Sequence, residues 1–209
     1  MGSSGIHIVC VALGVLGLIA GIVCCALPRW KVSSFTGQNI VTAQVTYDGL
    51  WMACVAQSTG QQQCKRHDSL LELATDLQAA RAMTIISCFL CSLSILILFA
   101  GSDFTTCVQN EDVKPKITLV AGIMMILAGL LLMIPVSWSA HNVIQNFHNP
   151  LGQPKKELGA CIFLGWAGGV IMLLGGGLLC CFSRINSGSS GGTAKYYSNN
   201  ASAPNSNYV

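Results

Sequence analysis

The chain has 209 residues, of which 52% are hydrophobic and only 9% charged, and its mean hydropathy is +0.59. A soluble domain carries about 25% charged residues, so this chain has too few to solvate a water-exposed globule, and its lack of long polar runs before residue 183 excludes a mostly disordered chain. A net charge of +3 is too weak to indicate a nucleic-acid partner.

Four runs contain no Asp, Glu, Lys or Arg: residues 6–27, 82–100, 117–136 and 160–182. At about 1.5 Å per residue each can cross a hydrocarbon core about 30 Å thick as a helix. A four-span membrane protein is predicted, with both termini on one side. The first run lacks a basic leader and ends at Pro28-Arg29-Trp30 rather than at a small-residue cleavage site, so it reads as a retained span. It carries Gly17-x-x-x-Gly21, a spacing that lets membrane helices approach closely, and His7 at its edge reads as interfacial.

The first connection, residues 28–81, is long. Stretches 29–36, 39–46 and 50–57 are rich in Val, Ile, Thr, Phe and Trp, with Gly37 and Asp48-Gly49 between them, which predicts short antiparallel strands. Asp68 before Ser69-Leu70-Leu71 reads as a capped helical turn leading to the second span. Cys54 and Cys64 are the only cysteines in the first and third connections, with nine residues between them and strand-like sequence before them. A disulfide between neighbouring strands fits, stabilising by about 2–3 kcal/mol and placing this connection on the oxidising, extracellular face. The alternative is a pair of free thiols in a cytosolic loop. Basic residues argue for that reverse orientation, seven in the first and third connections against four in the middle one and the tail. The cysteines are given more weight, because a folded loop of 54 residues is near the length at which the charge rule loses force.

The middle connection (101–116) is short and holds Cys107; the third (137–159) follows Pro135, which removes a backbone donor near the end of span three. Span four has Gly165-x-x-x-Gly169 and Gly175-Gly176-Gly177, and ends at Cys180-Cys181. Cysteines within spans read as small apolar residues, whereas Cys107, Cys180 and Cys181 are palmitoylation candidates on the cytosolic side. The tail 183–209, rich in Ser, Asn and Gly, is expected to be mobile. Spans without ionisable groups argue against an ion route through one bundle. His67, Asp68 and Ser69 are adjacent without the geometry of a triad, and His141 and His148 lack metal-ligand spacing, so no enzyme, metal or cofactor is expected.

Trp30, then Gly49-Leu50-Trp51-x-x-Cys54, Cys64 and Arg81, between the first two of four spans, resemble the signature of the claudin family of tight-junction membrane proteins. Further matching residues are Pro135-Val136-Ser137-Trp138, Phe147 with Asn149-Pro150, and Glu157-Leu158-Gly159-Ala160. The terminal Tyr208-Val209 is similar to the family's PDZ-binding end. The expected fold class is a mostly α membrane protein: a left-handed four-helix transmembrane bundle with a small extracellular antiparallel β-sheet. The resemblance implies a plasma-membrane protein of tight junctions with cytoplasmic termini. Its implied partners are further copies and other claudins in cis and trans, PDZ scaffolds of the zonula occludens type, and membrane lipid. Its conduit lies between cells, walled by the first connection.

Cation-conducting members often place an acid just after a signature cysteine; here Val55 and Lys65 occupy those positions, followed by Arg66. Lys65 and Arg66 predict a cation barrier or anion-favouring pore, against the alternative that both are solvated outside it. Phe147, His148, Asn149 and Pro150 are the implied trans contact, and His148 replaces the family's usual second aromatic, which opens a pH-sensitive contact or simply an exposed imidazole. Some members bind a bacterial enterotoxin through Asn-Pro-Leu-Val; this chain has Asn149-Pro150-Leu151-Gly152 and departs at the fourth residue. Two other classes fit four spans. An auxiliary subunit of a channel or receptor often has a glycosylation sequon in the first connection, and a connexin-like channel needs cysteines in both extracellular loops; neither feature is present.

Overall fold

The computed structural model is described here over residues 2–35, 44–57, 59–67, 75–101, 113–148 and 156–189. The four apolar runs become four long helices, α1 (Gly2–Ala26), α2 (Thr75–Gly101), α3 (Lys114–His148) and α4 (Ala160–Ser189). Each is long and apolar enough to cross a membrane. Helix α1 packs on α2 and α4, and α3 packs on the same two, which closes a four-helix bundle. Large apolar side chains such as Leu16, Phe89, Leu96 and Leu174 point outward, and the interior holds Cys10, Cys91, Met125, Leu132, Met172 and Leu179. Outward apolar surface is what a lipid solvent permits, and the helices satisfy their own backbone groups.

Small residues bring the helices together. A Cβ added at Gly129 of α3 would meet the Gly169 carbonyl of α4 at 3.0 Å, and one at Gly176 would meet the Gly122 carbonyl at 2.7 Å. The α3–α4 contact is thus glycine against glycine at two levels, seven residues apart on each helix. Gly17 and Gly168 make a similar approach between α1 and α4. Between α2 and α3 the hydroxyls of Ser87 and Ser94 donate to the carbonyls of Ala128 and Ala121 at 2.6 and 2.7 Å. Packing and interhelical hydrogen bonds replace the water-driven force that is missing in a bilayer.

Five strands form one sheet: β1 (Lys31–Phe35), β2 (Gln44–Asp48), β3 (Met52–Ala56), β4 (Gln62–Arg66) and β5 (Lys156–Leu158), in the order β4-β3-β2-β1-β5. All neighbours are antiparallel. The β3–β4 turn closes with Gly60 at φ 81°, a left-handed conformation that suits glycine.

Several boundaries differ from the expectations. Helix α3 continues past Pro135 to His148, so about half of the segment read as the third loop is helix. Hydropathy falls after residue 136, but Val136, Ala140 and Val143 remain buried at helical spacing and hold the extension against its neighbours. Over 35 residues α3 is about 52 Å long, so it projects well beyond a hydrocarbon core. Helix α2 begins at Thr75, which puts Arg81 inside it, and α4 continues to Ser189, so residues 183–189, expected in the tail, are helix. There Ser183 donates to the Pro115 carbonyl of α3. Strands β1 and β3 fall within the expected stretches; β2 overlaps 39–46 at residues 44–46 and runs on to Asp48, and residues 39–43 lie outside the described residues. Strands β4 and β5 lie outside the three expected stretches. Gln62–Arg66 has no apolar alternation because it is an exposed edge, and β5 has only three residues, joined to β1 by main-chain pairing. The helical turn expected after Asp68 lies outside the described residues.

Candidate functional site

The signature residues converge where the sheet meets the bundle. Trp30 follows α1 and is buried, and its indole N–H donates to the Cys24 carbonyl at 2.7 Å, one of the carbonyls left without a helical donor in the last turn of α1. Its backbone N–H donates to the Asp48 carbonyl, and its own carbonyl accepts from Gly159, both at 3.0 Å. The chain crosses here at backbone contact: a Cβ at Gly159 would lie 1.9 Å from the Arg29 carbonyl oxygen, and one at Gly49 would lie 2.3 Å from Pro28 Cα. Leu50 is fully buried in a cluster with Trp30, Val136, Ala140 and Ile162. The Leu50 carbonyl accepts from Arg81 Nε of α2, and the guanidinium carbon of Arg81 stands 4.9 Å from the Trp51 ring centroid. Trp30, Gly49, Leu50, Trp51 and Arg81 together form a structural joint that fixes the sheet on the helices.

Cys54 and Cys64 lie opposite each other in the β3–β4 register and form the expected disulfide, with Cα atoms 4.0 Å apart. Because successive strand residues face opposite ways, this pair sorts the neighbouring positions. Cys54, Cys64, Met52 and its partner Arg66 share one face; Ala53, Val55, Gln63 and Lys65 share the other. Lys65 and Arg66, grouped from sequence as pore-wall cations, therefore stand on opposite faces of β4. Both are exposed. Arg66 lines a furrow beside α1 and α2 together with Met52, Trp51, His67 and Arg81. The two positions that follow the cysteines, Val55 and Lys65, are diagonal neighbours on the opposite face, roughly 7–8 Å apart between Cα atoms in ordinary strand geometry. Period-two alternation alone would have separated Lys65 from Arg66, had β4 been recognised as a strand.

At the far end of α4, Cys180 is half-buried and packs near Gly122, while Cys181 is exposed. Phe147 and His148 end α3, but their side chains lie outside the description. Cys107, Asn149, Pro150, Tyr208 and Val209 also lie outside the described residues. Among the described residues no group of three or more His, Cys, Asp or Glu could hold a metal ion.

The joint and the paired cysteines coincide with a known family. The family model for PMP-22/EMP/MP20/Claudin proteins matches residues 4–179. Claudin-4 of Chlorocebus aethiops is 52% identical over 176 residues, covering 83% of this chain and 84% of that protein. Claudin-3 of Mus musculus is 53% identical over 173 residues, covering 82% and 79% respectively. Claudin-4 of Canis lupus familiaris is 50% identical over 212 aligned positions, covering both chains in full. With four spans, a five-stranded sheet and the Cys54–Cys64 bridge in place, the chain belongs to the PMP-22/EMP/MP20/Claudin family, among its claudins.

Proposed function

We propose that this protein builds tight-junction strands, associating with further copies and other claudins in its own membrane and across to the next cell, and that its sheet sets the ion preference of the space between cells as a cation barrier. In this reading residues 28–81 and 137–159 are extracellular and both termini are cytoplasmic. The disulfide supports that orientation, since such bonds persist in oxidising compartments. The tail sequon Asn200-Ala201-Ser202 offers a direct check: glycan on Asn200 in cells would overturn it.

One observation carries the ion preference: Val55 and Lys65 share a face of the sheet, and neither is acidic. A lysine on the wall of a narrow aqueous conduit raises the energy of cations there, and salt screens the effect. Arg66 is left out of the conduit wall because it faces the other way. The helical extension of α3 carries Phe147 and His148 away from the membrane, which suits a trans contact with Asn149 and Pro150. The ends at Cys181 and at Tyr208-Val209 are read as acylation and PDZ-docking points. Expression of wild type and Lys65→Asp in a junction-poor epithelial layer tests the reading. Dilution potentials are expected to move toward cation preference in the variant. Unchanged potentials with normal strands at cell contacts would refute the pore-wall role, and absence of strands would refute the junction role.

A further inference from the structure

At the sheet-bearing end of the bundle, α2 and α3 line a cavity of about 140 Å³, more than one water needs and far less than a whole lipid. Ala79, Ala80 and Pro135 give it short or rigid apolar walls, and Met83 and Ile134 complete the apolar part. Ile134 is 49% exposed and Trp138 59%, so the cavity opens sideways onto lipid. Asp76 and Ser139 line it as well, and both stand beyond the uncharged runs 82–100 and 117–136, at the level of the membrane interface. Ser139 is only 6% exposed, yet its hydroxyl has no hydrogen-bond partner among the described residues. Asn142 of α3 donates to the Asp76 carboxylate at 3.5 Å, a long contact that leaves the carboxylate most of its accepting capacity. Ser139 lies three residues before Asn142 on the same helix face, so the free hydroxyl and the carboxylate are near neighbours.

We propose that this cavity holds the hydroxyl-bearing ring of one sterol, a rigid neutral lipid whose remaining rings lie along Met83 and Ile134 in the hydrocarbon. A hydroxyl both donates and accepts, so it serves the Asp76 carboxylate and the Ser139 hydroxyl together. From Asp76 to Met83 is seven residues, about 10 Å along α2, which carries the site from the interface into the apolar zone. A fused ring system loses little conformational freedom against the walls of Ala79, Ala80 and Pro135, unlike a flexible chain. Other occupants match less of the site. A phosphate can only accept and would meet a carboxylate, and an acyl chain or an apolar side chain of a second copy leaves Ser139 unpartnered. An ammonium headgroup suits Asp76 but is strongly hydrated and leaves the apolar wall unfilled. Because a sterol is neutral, the match rests on two hydrogen bonds and an apolar wall, not on the net charge around the mouth.

The test uses the full chain in dioleoylphosphatidylcholine vesicles and a cholesterol analogue that carries a ring diazirine and a free 3β-hydroxyl, with the photolabelled residues mapped by mass spectrometry. Label is expected on residues 76–83 and 134–139. Cholesterol is expected to displace it, while 5-cholestene, which has the same rings without the hydroxyl, and dioleoylphosphatidylethanolamine compete at least about tenfold more weakly. Ser139→Ala is expected to weaken labelling about threefold to tenfold, and the cavity-filling Ala79→Phe to abolish it, with the Cys54–Cys64 bridge intact by gel mobility. Label confined to other residues, equal competition by 5-cholestene or by the ammonium lipid, or undiminished label in either folded variant would overturn the proposal. So would a crosslink between two chains through Ala79→Cys that added cholesterol leaves unchanged. If a variant fails to fold, the map and the three-competitor comparison on the wild type still decide.

Discussion

Arg81 of α2 sits with its guanidinium carbon 4.9 Å from the Trp51 ring centroid while its Nε donates to the Leu50 carbonyl. One side chain thus ties a helix to two consecutive residues of the loop before β3. The residue is almost completely buried, so water does not compete for either contact. Arg81→Ala removes both and leaves the Leu50 carbonyl unpaired, and a loss of about 2–4 kcal/mol is expected. Arg81→Lys keeps the charge but lacks the planar fork that serves ring and carbonyl together, so an intermediate loss is expected. Thermal unfolding of the purified protein in detergent checks both. A loss for Arg81→Lys as small as that of an exposed substitution would refute the two-contact account.

The crossing of residues 29–30 over residue 159 leaves no room for a side chain, whereas Gly177 of α4 has no atom within 4 Å of a built Cβ. Gly159→Ala is therefore expected to cost at least about 3 kcal/mol, because the obstruction is backbone and cannot rotate away. Gly177→Ala is expected to be neutral or stabilising by up to about 1 kcal/mol through helix propensity. Two glycines in adjoining segments thus give opposite signs. Comparison of Tm and of the yield of correctly oxidised protein reads the difference, and similar losses for the two would show that crowding at Gly159 is not the cause.

Hydrogen bonds and close packing divide the work within the bundle unequally. Ser87→Ala or Ser94→Ala removes one interhelical bond to a carbonyl that keeps its helical donor, and each is expected to cost less than about 1 kcal/mol. Gly129→Leu forces a large side chain against the Gly169 carbonyl and Leu173 and pushes α3 from α4; a loss of about 3 kcal/mol or more is expected. Unfolding in detergent ranks these variants. A serine effect larger than the glycine effect would reverse the assignment of what holds the helices together.

Four spans and the cysteine bridge were legible because each rests on a local signal: an uninterrupted apolar run, or two cysteines behind strand-like sequence. The matched glycines Gly122 and Gly129 were not, since they are seven apart and their partners Gly176 and Gly169 lie on another helix. Strand β5 exists only because Trp30 and Gly159 bring the chain back beside β1, a long-range event that three residues cannot announce. The signature itself reads differently in three dimensions. Trp30, Leu50 and Arg81 mark a family most clearly, yet all three are buried in the joint, so they position the sheet and do not meet ions. Candidate residues for permeability are the exposed neighbours, whose identity the signature leaves free.

That separation gives the sharpest test of the proposed ion preference. Val55 and Lys65 lie on one face of the sheet and Arg66 on the other. Lys65→Asp changes the wall by two charges and Val55→Asp by one, in the same direction, so both are expected to raise cation preference, with Lys65→Asp the larger. Arg66→Asp makes the same two-charge change on the opposite face and is expected to leave the preference nearly unmoved. Long-range field effects would blur the contrast, but at physiological ionic strength the screening length is about 8 Å, so a charge across the sheet is felt weakly. Dilution potentials at two salt concentrations separate local from diffuse effects. A shift from Arg66→Asp equal to that from Lys65→Asp would mean that net loop charge, and not strand face, sets the preference.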